Sequence, residues 1–229
     1  EETLETFKDG IMQILNYGYH NYLDIHLMMM LPNAPIASKE YIKKYGIKTT
    51  TTQPRFSHRH LDDIMSEDTV EFVTQTNSFT KAEWIEGHQY RWLMIFSHYL
   101  GPLQFISRAL NQIYEIPYRS FYDNLLSFCK RRKDTFIGKE YHEVRNNLEL
   151  VLKNKRFWGG VVDGIGDINW NVDESTCIKL ANGNKPDFYR EIKNFITSTY
   201  PQVKPDVLNE IVLYQINRLS DPYIQYPFE

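Results

Sequence analysis

At Phe79-Thr80-Lys81-Ala82-Glu83-Trp84 the character of this 229-residue sequence changes from mixed to helical. A threonine followed three residues later by a glutamate predicts a capping box, because each side chain can bond the backbone amide of the other. Phe79 and Trp84 lie where two apolar side chains would clamp the chain as it enters a helix. The stretch therefore predicts a long helix from about residue 81 and a domain boundary near residue 78.

Downstream of this start the sequence reads as a series of amphipathic helices. Apolar residues recur at intervals of three or four, which is the spacing of one face of an α-helix. The positions that mark the next helices are Leu103, Ile106, Leu110 and Ile113, then Phe121, Leu125 and Phe128, then Tyr141, Val144, Leu148 and Val151. Phe157–Trp170 interrupts the pattern with four glycines and predicts a loop, and helices resume at Asn171 and Pro186. Residues 79–229 are therefore predicted to form a helical domain, with an extended aromatic end at 221–228.

Upstream, residues 1–35 have the pattern of one helix and one strand. Apolar residues at helical spacing between Leu4 and Leu15 predict a helix, which Gly18 closes. Tyr22–Leu31 is an almost unbroken apolar run and predicts a buried strand of a parallel sheet. Because one helix–strand unit cannot cover both faces of a sheet, the pattern indicates a piece of a larger α/β protein. The fold class predicted for the whole chain is mainly α (α+β).

Two short elements are predicted between these regions. Ser38–Tyr45 has the composition of a short helix that ends at Gly46, and Val70–Thr76 alternates in the manner of a strand. The charged residues 55–69 between them predict a surface loop.

The composition argues against several classes of protein. The net charge is −3, which gives no general attraction to nucleic acid or to a membrane surface. Cys129 and Cys177 are the only two cysteines and stand far apart, so neither a disulfide framework nor a CxxC metal knuckle is predicted. No apolar stretch approaches the roughly 20 residues of a membrane span, and Glu1-Glu2-Thr3-Leu4 does not resemble a signal peptide. A cytoplasmic protein is therefore expected.

Asp24 and His26 are the first candidates for a functional site. They stand two residues apart in the predicted strand, so their side chains would lie on the same face. A polar pair within a buried run must either form a satisfied network in the core or line a cavity. Asn33 follows the end of the strand, where ligands bind in barrel-like sheets. The sequence leaves both interpretations of these three residues open.

The capped helix carries two more candidates, His88 and Arg91. They share a helix face with Trp84 and Ile95, and either cover a substrate pocket or serve only the packing of the helix. His58-Arg59-His60 holds the one close pair of histidines, and such a pair on a strand would suit a transition metal. The surrounding residues resemble a loop and supply no adjacent third ligand, so a solvated surface loop is the alternative to a metal site.

The order of motifs in the first 130 residues resembles that of a known family. The predicted strand ends in Leu31-Pro32-Asn33-Ala34, the turn Tyr45-Gly46 follows, and a Thr-x-x-Glu-Trp motif at Thr80 opens a long aromatic helix. Across residues 3–130 this order resembles the C-terminal part of cobalamin-binding radical S-adenosylmethionine proteins. Such proteins carry a cobalamin domain and a partial α/β barrel upstream, with a CxxxCxxC motif that binds an iron–sulfur cluster. Neither part is present in this sequence.

The resemblance implies two regions with different roles. Residues 1–78 would hold the last helix and strand of the partial barrel with connecting loops, and residues 79–229 would be the helical domain that closes the barrel mouth. The five candidates other than the His58 pair would then face the substrate pocket. The parent protein would use an iron–sulfur cluster, S-adenosylmethionine and cobalamin, none of them held by this chain.

Two functions follow as hypotheses. In the first, the chain is the C-terminal segment of a radical S-adenosylmethionine enzyme of methyltransferase type. It would form a pocket wall and a helical lid, would not be catalytic alone, and would have the upstream part of the same polypeptide as its partner. In the second, it is a stand-alone helical module that binds an unidentified ligand, with Tyr22–Leu31 paired within the chain or across a homodimer. A metal-dependent enzyme that uses His58 and His60 is a third hypothesis.

Overall fold

The computed structural model describes residues 2–26, 28–52, 57–60, 69–155 and 159–219. Within these ranges the fold is mainly α-helical with two small two-stranded sheets, which confirms the predicted fold class, mainly α (α+β). The helices are α1 Leu4–Asn16, α2 Lys39–Tyr45, α3 Lys81–Met94, α4 Gln104–Tyr114, α5 Tyr118–Arg131, α6 Phe136–Leu152, α7 Val172–Lys179, α8 Lys185–Thr199 and α9 Pro205–Arg218. The strands are β1 Lys48–Thr52, β2 Arg59–His60, β3 Val70–Gln75 and β4 Ile168–Asn169. The extended end predicted at 221–228 lies outside the described residues, as does much of the loop predicted at 55–69.

Helix α3 lies at the centre of the helical part and begins as predicted. The Thr80 hydroxyl oxygen accepts from the Glu83 amide at 3.3 Å, and the Glu83 carboxylate accepts from the Thr80 amide at 2.8 Å. Tyr90 and Trp92 are fully buried because α3 packs against α1, α5, α6 and α7. The helix passes directly into a π-helical turn, Ile95–Tyr99, whose five residues are all buried. The capped start of α3 thus fixes the element around which the other helices pack.

A core rich in aromatic rings joins the helices. Its largest fully buried side chains include Trp92, Tyr90, Tyr122, Tyr189, Phe96, Phe121, Phe188 and Phe195. Rings of this size supply most of the apolar area that a core removes from water. Helix α1 contributes to the same core through Ile11, Met12 and Leu15. The division of the chain at residue 78 stays a prediction. In the described part of the chain, no helix has the length and apolar character that a bilayer crossing requires.

The two small sheets pair segments that are distant in sequence. Strand β1 pairs with β3 in antiparallel fashion, with Thr50 opposite Phe72. Strand β2 pairs with β4, also antiparallel, with His60 opposite Ile168. The strand predicted at Val70–Thr76 is therefore confirmed as β3, and part of the predicted 55–69 loop forms the short strand β2.

The prediction of a buried strand over Tyr22–Leu31 is wrong. Among the described residues of this run, Met29 alone is bridged to a strand, opposite Phe72 of β3. Met28, Met29 and Leu31 are 52%, 45% and 58% exposed. An unbroken apolar run is typical of a strand that is covered on both faces. Here no described element covers the side of the run that faces away from β3. We refer to residues 22–31 as the apolar segment.

Helix α2 begins and ends at the predicted residues. The Ser38 hydroxyl oxygen accepts from the Tyr41 amide at 3.2 Å, and the helix closes at Gly46. Gly46 has a φ of 60°, in the left-handed region that glycine tolerates best. A Cβ at this position would also meet the side-chain amide of Asn77, so a larger residue would have to displace it.

Candidate functional site

Arg91 of α3 joins the apolar segment to the helical core. Its Nε donates to the carbonyl oxygen of Ile25, and its Nη1 lies 3.4 Å from the Asp173 carboxylate in the first turn of α7. Its Nη2 lies 3.7 Å from the Asp24 carboxylate. Arg91 and Asp173 are 8% and 1% exposed, so water screens their ion pair little. We refer to these four residues as the Arg91 junction, because they tie three separate parts of the chain together.

Burial sets the electrostatics of this junction. It raises the pKa of the Asp173 carboxyl above its usual range, and the positive charge of Arg91 offsets that rise only in part. A carboxylate that has lost its water depends on the cation beside it. The two residues therefore act as one unit, and a change in either leaves the other in an unfavourable environment.

Asp24 and His26 form a polar pair at the edge of the junction. The His26 Nε2 lies 3.3 Å from the Asp24 carboxylate, and the two side chains are 80% and 41% exposed respectively. The pair is therefore not a satisfied network within the core, which was one of the two interpretations of the sequence. It lies on the exposed face of this stretch, whereas the alternate residues Leu23 and Ile25 are partly buried against the core.

A partly open, mainly apolar cleft of about 130 Å³ lies beside this pair. It is bordered by α1, the apolar segment, β3 and the start of α3. Its lining includes Leu4, Phe7, His26, Met28, Trp84 and His88. The structure thus brings two of the predicted candidates, His26 and His88, to one cleft. We refer to it as the His26 cleft.

His88 presents a neutral imidazole to the His26 cleft. Its ring packs edge-on against Trp84, with 4.3 Å between the ring centroids, and its Nδ1 is buried. Burial, assisted by the charge of Arg91, lowers the pKa of His88 to about 3. The ring therefore carries no charge at neutral pH. A cleft of this kind fits an uncharged part of a ligand better than an anionic one.

The remaining candidates lie apart from the cleft. Asn33 is exposed in the turn before α2 and does not line the cleft. His58 Nε2 lies 2.8 Å from the Glu174 carboxylate, and its ring packs edge-on against Trp170. His60 is exposed in β2. Within the described ranges, no three His, Cys, Asp or Glu side chains lie close enough to hold a metal ion.

A buried polar network around His98 has no counterpart among the predicted candidates. His20 Nδ1 lies 3.1 Å from His98 Nε2, and His98 Nδ1 lies 2.7 Å from the Tyr122 hydroxyl. That hydroxyl donates to Ser107 Oγ at 3.1 Å, which in turn donates to the Gln104 carbonyl oxygen at 3.0 Å. If each group donates to the next, from His20 through to the Gln104 carbonyl oxygen, every hydrogen bond of the network forms while both imidazoles are neutral.

The environment of His98 keeps its imidazole neutral. His98 is fully buried in the π-helical turn, and burial lowers its pKa to about 3, with smaller contributions from His20 and Arg108. A proton on His98 would make both of its ring nitrogens donors and oppose the donor on His20. The sequence does place this histidine in a mainly apolar run, Leu93–Leu100, which indicates that it needs a partner. That partner is 78 residues away, so only the fold identifies it.

The two cysteines do not fit an iron–sulfur cluster. Cys129 is fully buried in α5, and Cys177 lies in a different helix, α7. Burial raises the pKa of both thiols well above their usual range, whereas a cluster is held by several thiolates in one place.

Two curated relatives are similar to this chain over part of their length. One is the 2-(S-pantetheinyl)-carbapenam-3-carboxylate methyltransferase of Streptantibioticus cattleyicolor, which is 28% identical over 214 residues that cover 86% of this chain and 30% of the relative. The other is the cobalamin-dependent radical SAM methyltransferase TokK of Streptomyces tokunonensis, which is 31% identical over 145 residues that cover 63% of this chain and 21% of the relative. No family model matches the chain. The chain therefore spans less than a third of either relative, and both relatives are named as methyltransferases.

Arg91→Met is expected to lower the free energy of unfolding by about 3 kcal/mol, because it removes the cation beside the buried Asp173 carboxylate. Urea denaturation followed by circular dichroism measures the change. Arg91→Met combined with Asp173→Asn should lose less than the first substitution alone. The matched control is Arg190→Met, which removes an exposed ion pair of 2.7 Å with Asp187 and should cost less than about 1 kcal/mol. A loss as small in R91M as in R190M would contradict the role of the junction.

The free energy of unfolding is expected to fall as the pH is lowered below 6.5, in part because of His98. The unfolded chain takes up a proton at the ordinary histidine pKa of 6.5, whereas folded His98 does so only at about 3. Between these values the unfolded state binds more protons, so stability rises with pH and is lost on acidification. Urea denaturation between pH 4 and 8 measures the slope, which should be shallower in His98→Gln than in the control His26→Gln. Equal slopes in the two variants would show that His98 is not the source.

Proposed function

We propose that this chain is the C-terminal segment of a cobalamin-dependent radical S-adenosylmethionine methyltransferase. In this proposal it forms a wall of the substrate pocket and a helical lid, and it has no catalytic activity alone. The observation that carries the proposal is the similarity to two named methyltransferases over less than a third of their length. A match of that extent fits a part that works together with a longer polypeptide.

The exposed apolar segment supports a partner that covers it. Exposed apolar patches on a surface mark interaction sites, and Met28, Met29 and Leu31 of this segment are all exposed. The Met28 carbonyl oxygen and the Met30 amide both bond to β3. The amide and carbonyl of Met29 therefore face away from β3. They have no backbone partner among the described residues. An open edge of this kind is usually paired or covered in a complete protein. The upstream part of the same polypeptide is the proposed partner.

The His26 cleft is the proposed contribution to the substrate pocket. Its apolar walls and the neutral ring of His88 suit an uncharged part of a substrate. The Arg91 junction fixes the apolar segment against α3 and α7, and so holds one wall of the cleft in place. Asp24 is exposed in the apolar segment and Asn33 in the turn that follows it, and both stay candidates for contact with the upstream part.

The division of roles follows the boundary expected from the sequence. Residues 1–78 are proposed as the pocket wall and residues 79–229 as the lid. The iron–sulfur cluster, S-adenosylmethionine and cobalamin are proposed to be held by the upstream part, because the cysteines of this chain do not fit the cluster. The chain itself would position substrate and exclude water from the pocket.

Neither S-adenosylmethionine nor hydroxocobalamin is expected to bind the 229-residue chain alone, because the proposal assigns both sites to the upstream part. Thermal-shift measurements and isothermal titration calorimetry test this. A cooperative melt of the chain without ligand is the control for folding. Saturable binding of either cofactor would contradict the proposal, because the cofactor site would then be complete within these residues.

In the complete polypeptide encoded by the gene, His26→Ala and Met28→Ala are each expected to raise KM for the methyl acceptor by about tenfold, because each removes a contact with bound substrate. Steady-state methyl-transfer assays at saturating S-adenosylmethionine measure the change. Glu210→Ala, at an exposed position of α9, is the control and should leave KM unchanged. Unchanged KM in both cleft variants would overturn the wall assignment. A reading frame without a CxxxCxxC motif upstream of Glu1 would overturn the whole proposal.

A further inference from the structure

The connection between α7 and α8 contains Asn182-Gly183, the one place in the sequence where an asparagine precedes a glycine. The two residues interrupt the helical backbone, with φ and ψ of −79° and 43° at Asn182 and of 105° and 0° at Gly183. Glycine adopts a φ of this sign readily, whereas other residues do not. The connection is therefore a sharp kink between two helices. Neither the candidate site nor the proposed function uses it.

The side-chain amide of Asn182 is not held by the fold. The residue is partly exposed, and no described residue forms a hydrogen bond with its amide. The neighbouring Asn184, in contrast, donates from its amide to the Lys179 carbonyl oxygen at 2.7 Å. Asn77, which precedes a serine, likewise donates to the Lys44 carbonyl oxygen at 3.1 Å. An amide that is bonded in this way is held in one orientation, whereas that of Asn182 can turn toward its own backbone.

The backbone nitrogen that follows Asn182 is also open to its surroundings. Gly183 is exposed, and a Cβ built on it would meet no heavy atom within 4 Å outside its chain neighbours. Glycine has no side chain to shield this nitrogen or to restrict the backbone around it. Asn217 is a useful comparison, because it too is exposed and has no side-chain hydrogen bond to a described residue. It lies within α9 and precedes Arg218, so its backbone is held in a helix.

We propose that Asn182-Gly183 is a site of self-modification, at which Asn182 is converted to isoaspartate and aspartate without an enzyme. The Gly183 backbone nitrogen gives its proton to a base in solution and forms a bond to Asn182 Cγ. The side-chain nitrogen of Asn182 leaves as ammonia, and a cyclic imide results. Water then opens the imide at either of its carbonyl groups, which gives isoaspartate from one and aspartate from the other. Water is the only other reactant.

The modification changes the charge and the length of the connection. A carboxylate replaces the neutral amide just beyond the end of α7, where the helix dipole disfavours an anion. The isoaspartate form also adds a carbon to the main chain between Lys179 and Asn184, whose 2.7 Å hydrogen bond spans the site. The modification therefore acts on the segment that follows α7, the helix that carries Asp173 of the Arg91 junction.

Incubation of the folded 229-residue chain for several days at pH 8 tests the proposal. Peptide mass spectrometry locates each conversion of an amide to a carboxyl group, and methylation by an isoaspartate-specific methyltransferase measures the isoaspartate form. Asn182 is expected to react at least about tenfold faster than Asn77 or Asn217, because its neighbour is an unhindered glycine in a kink. The rate should rise with pH, since the attacking nitrogen must lose its proton.

The same incubation in urea separates the effect of the fold from that of the sequence. Asn77 should react faster in urea than in the folded chain, because its amide is then no longer bonded. The rate at Asn182 should change by less than about threefold, since the fold does not protect it. Asn182→Gln should abolish most of the acidic form that anion-exchange chromatography detects after incubation. The matched control, Asn217→Gln, should leave the amount of that form unchanged.

Three results would each overturn the proposal. The first is an equal rate at Asn182 and Asn217 in the folded chain. The second is a rate at Asn182 that rises more than about tenfold in urea, because the kink would then protect the residue. The third is an acidic form that accumulates as fast in N182Q as in the unaltered chain.

Discussion

The buried positive charge of Arg91 is the constraint on which the arrangement of this molecule depends. A guanidinium taken out of water must be matched by hydrogen bonds and by negative charge, and its planar fork can serve several partners at once. Here the partners are a backbone carbonyl of the apolar segment, a buried carboxylate of α7 and a more exposed carboxylate at Asp24. Because the charge lies on the central helix α3, the contacts that neutralise it fix the positions of the apolar segment and of α7. The His26 cleft exists because the apolar segment is held against α3 in this way.

Local signals in the sequence were sufficient for the helical part of the fold. The Thr80 and Glu83 cap, the Ser38 cap and the closing Gly46 each act within three or four residues of the helix end they define. Such interactions do not depend on what packs elsewhere, so the sequence predicts them directly. The apolar segment is the contrary case. Its composition predicts that Met28, Met29 and Leu31 are shielded from water, but it does not predict which element shields them.

The candidate site could be predicted only in part, for the same reason. The spacing of Asp24 and His26 correctly places them side by side, since they are two residues apart and lie within 3.3 Å. The partner of Arg91, Asp173, is 82 residues away in sequence, and no periodicity links the two. The network from His20 to Gln104 likewise forms only when the stretch between α1 and the apolar segment, which carries His20, reaches the π-helical turn. A polar residue in an apolar run is predicted to need a hydrogen-bond partner. The identity of that partner depends on the fold.

The exposure of Met28 and Met29 has a chemical consequence for the surface they form. A thioether that water and peroxide can reach is oxidised to the sulfoxide, which is polar and no longer favours an apolar contact. Met12 and Met94 are 4% and 0% exposed and lie within the core, where the same oxidants reach them far less readily. Oxidation would therefore strike first at the surface that a covering polypeptide would recognise, and would leave the packing of the helices intact. The oxidation state of Met28 and Met29, rather than the folding of the chain, would then determine whether another polypeptide can still bind this surface.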